Sequence, residues 1–161
     1  MVDIVPRFFV ATVNVGRGSV QEDVSKIAVD EIVAAHFIFI RHVTVNREKR
    51  YIEQLIMNVA TSNEADAIVL IGGVGLGPRD YTCEAVDGMV DQRIEGFGEA
   101  FRRLLHEELA IGPRVLLQRA TAGVYNKCVV FALPRRPEPL RLALRKLVLP
   151  TVTEAVRITS Q

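Results

Sequence analysis

Residues 67–80 read AIVLIGGVGLGPRD, and the junction inside this stretch decides the fold. Its first five residues are a short, continuous apolar run, as expected of a strand buried on both faces. Gly72, Gly73, Gly75 and Gly77 follow within six positions, and Arg79-Asp80 closes the segment. A glycine-rich turn after a buried strand and before a helix is where open α/β sheets bind ligands. Two common phosphate loops can be tested directly. The dinucleotide fingerprint G-x-G-x-x-G is met by Gly73 and Gly75 and fails at Pro78. The pattern G-x-x-x-x-G-K-[ST] is met by Gly72 and Gly77 and fails at Pro78 and Arg79. What remains is either a nest of backbone N–H groups aimed at one anion or a plain strand-to-helix turn. Thr82 is placed to cap the following helix, with Glu84 in its first turn.

Working outward, the chain alternates strand and helix. Phe8–Val13 reads as a strand, followed by a polar loop holding Gly16 and Gly18. Asp23 or Ser19 is placed to cap a helix through residues 27–35, with Ile27, Ile32 and Val33 near helical spacing. HFIFIRHVTV (36–45) is strand-like, and REKRYIEQLIMNVAT (47–61) is an amphipathic helix with Ile52, Leu55, Ile56 and Val59 on one stripe. Such alternation predicts an α/β domain with a mainly parallel sheet and right-handed crossovers. Downstream, residues 82–94 and 98–109 read as helices, while VLLQRAT (115–121) is ambiguous between strand and helix. KCVVFAL (127–133) is a strand, and LRLALRKLVL (140–149) a helix ended by Pro150. No repeat, low-complexity tract or linker interrupts this pattern, which predicts a single domain over residues 1–161.

The bulk composition narrows the function classes. Apolar residues make up 49% of the 161, enough for a sizeable core, and the net charge of +1 gives no reason to expect nucleic acid or an anionic membrane as partner. The start, MVDIVPRFFV, lacks a signal peptide's basic head and long apolar middle, and no apolar run reaches the roughly 20 residues of a membrane span. A cytoplasmic protein is expected. Cys83 and Cys128 lie far apart with no CxxC, and His36, His42 and His106 form no ligand spacing, so no tightly bound metal is expected. The basic pairs Arg102-Arg103 and Arg145-Lys146 read as solvated helix faces, whereas Arg135-Arg136 falls in a loop.

Three segments, in order, carry a resemblance. IGGVGLGPRDYTCEA (71–85) is similar to the loop T-G-G-T-G-x-x-x-R-D-x-T-x-E-A of the MoaB/MogA family of molybdenum cofactor biosynthesis proteins. IEGFGEAFRRLLHEE (94–108) resembles the family's glycine-phenylalanine-glycine-glutamate segment and its helix. QRATAGVYNKCVVFALP (118–134) resembles its S-R-A-x-A-G-V stretch, and residues 141–150 its closing helix. The resemblance implies a three-layer α/β/α sandwich with a mainly parallel central sheet, assembled as a homotrimer or hexamer, with other cofactor biosynthesis proteins as further partners. It also implies a molybdopterin site, and in active members Mg-ATP as the second substrate, used to adenylylate the pterin's phosphate.

Carried over by position, Gly72, Gly73, Val74 and Gly75 would face the phosphate. Asp80 would be the catalytic acid and, with Glu48, the magnesium ligand. Arg119, Thr121 and Gly123 match the second binding segment, and Pro134 opens the loop that reaches the pterin. The departures cluster at the site. Val74 replaces a threonine hydroxyl, and D-T-S-G becomes Asp23-Val24-Ser25-Lys26. Arg47 and Glu48 stand where active members often carry two acids, and L-P-G-S-P becomes Leu133-Pro134-Arg135-Arg136-Pro137. Three readings follow: a molybdopterin adenylyltransferase, a non-catalytic molybdopterin-binding or carrier member, or an oligomeric scaffold or regulatory protein that has kept the fold and lost the ligand. Arg135 and Arg136 suit an anionic pterin phosphate and equally suit filling the space the pterin needs.

Overall fold

The chain's apolar strands assemble into one mixed sheet in a computed structural model that describes residues 3–14 and 23–161. The strands are β1 (Arg7–Asn14), β2 (Ile38–Asn46), β3 (Ala67–Ile71), β4 (Gln92–Arg93), β5 (Thr121–Tyr125) and β6 (Cys128–Leu133), in the order β2-β1-β3-β6-β5-β4. The first four strands in that order are parallel, while β5 runs antiparallel to both β6 and β4. The helices are α1 (Val24–Ala34), α2 (Lys49–Thr61), α3 (Thr82–Met89), α4 (Phe97–Leu109), α5 (Pro137–Ala143) and α6 (Leu149–Thr159). The expected Gly16–Gly18 loop and Ser19 lie outside the described residues.

Alternation along the strands builds two separate cores. In β3, Ala67, Val69 and Ile71 face a layer of α1, α4, α5 and α6, and Ile68 and Leu70 face α2 and α3. The same parity sends Phe8 and Val10 to the first layer and Phe9, Ala11 and Val13 to the second. The fold is therefore a three-layer α/β/α sandwich with a mainly parallel sheet, as expected. Ile52, Ile56 and Val59 of α2 are buried as the stripe predicts. In α1 the buried face is Val24, Ser25, Ala28 and Ile32, and Val33 of the expected stripe is exposed.

Two local expectations fail and one open reading is resolved, each for an identifiable reason. The expected helix over 82–94 stops at Met89, because residues 92–93 pair with Val124 and Gly123 as an edge strand. VLLQRAT divides: residues up to Leu117 belong to a 3₁₀ segment (Gly112–Leu117), and Thr121 opens β5. Pro150 does not end a helix. A wide π turn over Leu144–Val148 precedes it, placing Pro150 in the first turn of α6, where its missing N–H is tolerated.

The connections create the crevice. After β1 the chain passes to α1 in one layer, and after β3 it passes to α3 in the other. After β6 it returns to α5 in the first layer. Neighbouring strands whose exits diverge to opposite faces leave a gap at their carboxyl ends, where α/β sheets take ligands.

Candidate functional site

The glycine loop fills one wall of that gap. Gly72 and Gly73 take φ of +102° and +70°, values that side chains resist. The turn also has no room: a Cβ on Gly73 would lie 2.3 Å from Thr82 Oγ1. Thr82 is wholly buried, and its hydroxyl donates to the Gly72 carbonyl at 2.8 Å while its N–H donates to Gly73 O at 3.0 Å. Its hydroxyl thus staples the loop, in contrast to the expected helix cap; Tyr81 occupies the cap position. Beyond it, Asp80 Oδ2 accepts the Gly77 N–H at 3.0 Å and packs where a Cβ on Gly75 would lie, 2.7 Å away. The Gly77 carbonyl in turn accepts the Asp80 N–H at 3.1 Å.

Arg119, just before β5, clamps the same loop from the side. Its Nε donates to Val74 O at 2.9 Å and Nη2 to Gly75 O at 2.7 Å. Nη1 meets Glu84 Oε1 of α3 at 2.6 Å. This hydrogen bond holds the Glu84 carboxyl below its ordinary range and raises the Arg119 guanidinium. Cys83, next to Glu84, is buried beneath the loop, which pushes its thiol up to about 12. With the loop carbonyls turned to Arg119, the amides of Gly73, Val74 and Gly75 have no acceptor among the described residues.

The opposite wall comes from the chain leaving β6. Pro134 is buried, and the Arg135 guanidinium donates through Nη2 to the Val13 carbonyl at the end of β1. On the way it crosses Gly72, where a Cβ would stand 3.1 Å from Nη2. Burial lowers the pKa of Arg135 from the usual arginine value. Between these walls lies a cleft of about 320 Å³, floored by Gly72–Gly75 and rimmed by Leu117, Gln118 and the arginines at 119, 135 and 136. Among the described residues that line it, none carries a carboxylate. A second hollow of about 200 Å³ lies behind Arg119, where Thr121 Oγ1 donates to Asp87 Oδ1 at 2.6 Å beside the Phe97–Gly98 turn of α4.

The family model described as a probable molybdopterin binding domain matches residues 10–154. The chain belongs to the MoaB/MogA family. Molybdenum cofactor biosynthesis protein B of Bacillus subtilis is 32% identical over 155 residues, 96% of this chain and 90% of that protein. The Staphylococcus epidermidis protein of the same name is 41% identical over 103 residues, 64% of this chain and 58% of that one. Among solved structures, a molybdenum cofactor biosynthesis protein B superposes with a TM-score of 0.90 at 28% identity, covering 99% of both chains. The tungsten cofactor synthesizing protein MoaB of Pyrococcus furiosus superposes at 0.83 and 27% identity, covering 98% of both. The chain is a molybdenum cofactor biosynthesis protein of MoaB type.

Within this family setting the expected site residues separate into groups. Gly72, Gly73, Val74, Gly75, Arg119, Pro134, Arg135 and Arg136 come together around the larger cleft, and Thr121 faces the smaller hollow. Asp80 stands behind the loop, bonded to Gly77. Asp23 and Ser25 bond each other at the start of α1, and Gly123 is buried in β5 against Val90 and Gln92. Glu48, at the start of α2, is exposed and paired with Arg50 at 3.1 Å. Three residues that matter were not anticipated in these roles: Thr82 as the loop staple, Glu84 as the counter-charge of Arg119, and Asp87 as the acceptor of Thr121. Glu84 and Asp87 sit three positions apart on α3, and that spacing was the one available signal.

The described residues do not fit a magnesium ion in the larger cleft. Magnesium takes oxygen ligands, one or two carboxylates beside substrate phosphates. Here Asp80 turns one oxygen to a backbone amide and Glu48 pairs with an arginine, and neither lines the cleft. No group of three or more metal-binding side chains gathers among the described residues. Likewise, no described helix is long and apolar enough to cross a membrane.

Proposed function

We propose that this protein binds molybdopterin by its phosphate and acts as a binding member of its family, without adenylylating the ligand. The observation that carries this reading is the cleft itself: among the described residues, the amides of Gly73, Val74 and Gly75 have no acceptor, and three arginines but no carboxylate line the space. Backbone amides and guanidinium forks are both donors matched to phosphate oxygens. The pterin ring would lie toward Pro134 and Leu117. The names of the related proteins support the ligand class.

Incubation with molybdopterin, ATP and magnesium tests this reading. Retained molybdopterin with no adenylylated product is expected. Product would replace it with the adenylyltransferase reading, which the retention of Asp80 favours. In that case Asp80→Asn should abolish turnover and leave the assembly intact. A homotrimer or hexamer is part of the same proposal, and the exposed Leu116 and Leu117 beside the cleft suit a protomer contact. Sedimentation of a stable monomer would contradict it. The protein is proposed to work in the cytoplasm with other cofactor biosynthesis proteins, with neither nucleic acid nor membrane as partner.

A further inference from the structure

Resting on the molybdopterin reading, we propose that Gln118 recognises the ring of the bound pterin, its carboxamide pairing with the N3–H and the C4 carbonyl on the edge of the heterocycle. Two observations converge. The first is the balance of donors and acceptors in the cleft. A pterin presents both: its ring N3–H and its amino group at C2 donate, and its carbonyl at C4 accepts. The lining is rich in donors only. Arg119, Arg135 and Arg136 cannot accept a hydrogen bond. The four carbonyls of the floor already accept one each, Gly72 O and Gly73 O from Thr82, Val74 O and Gly75 O from Arg119. Among the described residues that line the cleft, Gln118 has the one side chain able to accept.

The second is how Gln118 is held. Its N–H donates to Val115 O at 3.1 Å, and its carbonyl accepts Arg102 Nη1 at 3.4 Å, so its backbone is tied on both sides. The half-buried side chain follows Leu117, and its carboxamide has no partner among the described residues. Leu117 and Pro134 line the same cleft and offer apolar surface to the face of a ring.

Gln118 also stands where the family's S-R-A-x-A-G-V stretch carries a serine. A hydroxyl is a single oxygen, whereas a planar carboxamide sets a donor and an acceptor side by side. That spacing matches two neighbouring polar groups on a heterocycle's edge. The work of binding is thereby divided: the floor amides take the phosphate and Gln118 tests the ring. A site that hydrogen-bonds a ligand's N–H rejects an analogue that lacks it.

Competition against molybdopterin by 6-hydroxymethylpterin phosphate and by its N3-methyl derivative, followed by calorimetry, tests this. In the unaltered protein the N3-methyl compound, which lacks the ring donor, should compete about tenfold less well. Gln118→Leu should bind molybdopterin about tenfold more weakly, and the two competitors should then agree within about twofold. Competition by inorganic phosphate, which needs only the floor, should change by less than about twofold in this variant, whereas a merely structural loss would weaken it too. Gln118→Ser, which restores the family's residue, should behave as Gln118→Leu does, and matching urea midpoints would show that both variants fold. Equal competition by the two pterins in the unaltered protein, or an undiminished preference in either variant, overturns the inference and leaves the molybdopterin reading standing. Failure of the unaltered protein to bind molybdopterin overturns both.

Discussion

Arg119 holds Glu84 at 2.6 Å with one end of its guanidinium and the Val74 and Gly75 carbonyls at 2.9 and 2.7 Å with the rest. The glycine loop owes its shape to this fork as much as to its glycines. With its carbonyls turned toward Arg119, the loop leaves its amides for the cleft. Arg119 is therefore a positioning residue for the loop, each of its three guanidinium nitrogens bonded to the loop or to Glu84.

Arg119→Lys should damage the loop nearly as much as Arg119→Ala, because a single ammonium cannot reproduce a fork across three acceptors. Loss of the fork should lower stability by about 2 kcal/mol in urea titration. Both variants should also bind molybdopterin more weakly. Equal stability of the lysine variant and the unaltered protein would remove the fork argument.

The same pair predicts an acid dependence. Because Glu84 is held below its unfolded pKa, its ion pair contributes stability above the ordinary glutamate value of 4.5. That contribution is lost as pH falls through the lower, folded value. Unfolding midpoints measured from pH 6 down to pH 3 should therefore fall less steeply in Glu84→Gln than in the unaltered protein. Glu84 is partly exposed, so the difference should shrink in high salt.

Gly73→Ala should be costly for two reasons that add. Its φ of +70° disfavours a side chain by about 1 kcal/mol, and the new Cβ would collide with Thr82 Oγ1 at 2.3 Å. Overpacking adds about 1–3 kcal/mol. Thr82→Val tests the staple separately and should cost about 1–3 kcal/mol by orphaning the Gly72 carbonyl. Chemical denaturation reads both. A neutral Gly73→Ala would contradict the close approach.

Cys83 and Cys128 are free, buried, and pushed up to about 12 by that burial. Nearly all of each thiol is protonated near pH 8, and neither is accessible. Ellman's reagent should label neither in the native protein and both after denaturation. Fast native labelling of Cys83 would show that the loop above it opens.

Much of the framework was legible because it is written locally. The continuous apolar run of β3 and the helical stripe of α2 each follow from residues within one element. The elements that were misread depend on distant partners. Residues 92–93 become strand because β5 is beside them, and Pro150 is absorbed by a π turn packed against the core. Thr82 looked like a cap since capping needs only nearby amides, whereas its actual acceptor, Gly72 O, lies ten residues back across the turn.

The sequence by itself determined the alternation of elements, the glycine loop between β3 and α3, and the family to which the chain belongs. Its basic substitutions at Arg47, Arg135 and Arg136 were visible as letters. Only the tertiary structure decided which distant groups Arg119 and Arg135 meet. Arg119 meets a carbonyl 45 residues away, and Arg135 meets one 122 residues away. Contacts of that separation leave no period in the chain. They arise where three parallel strands end together and their connections part to opposite faces of the sheet.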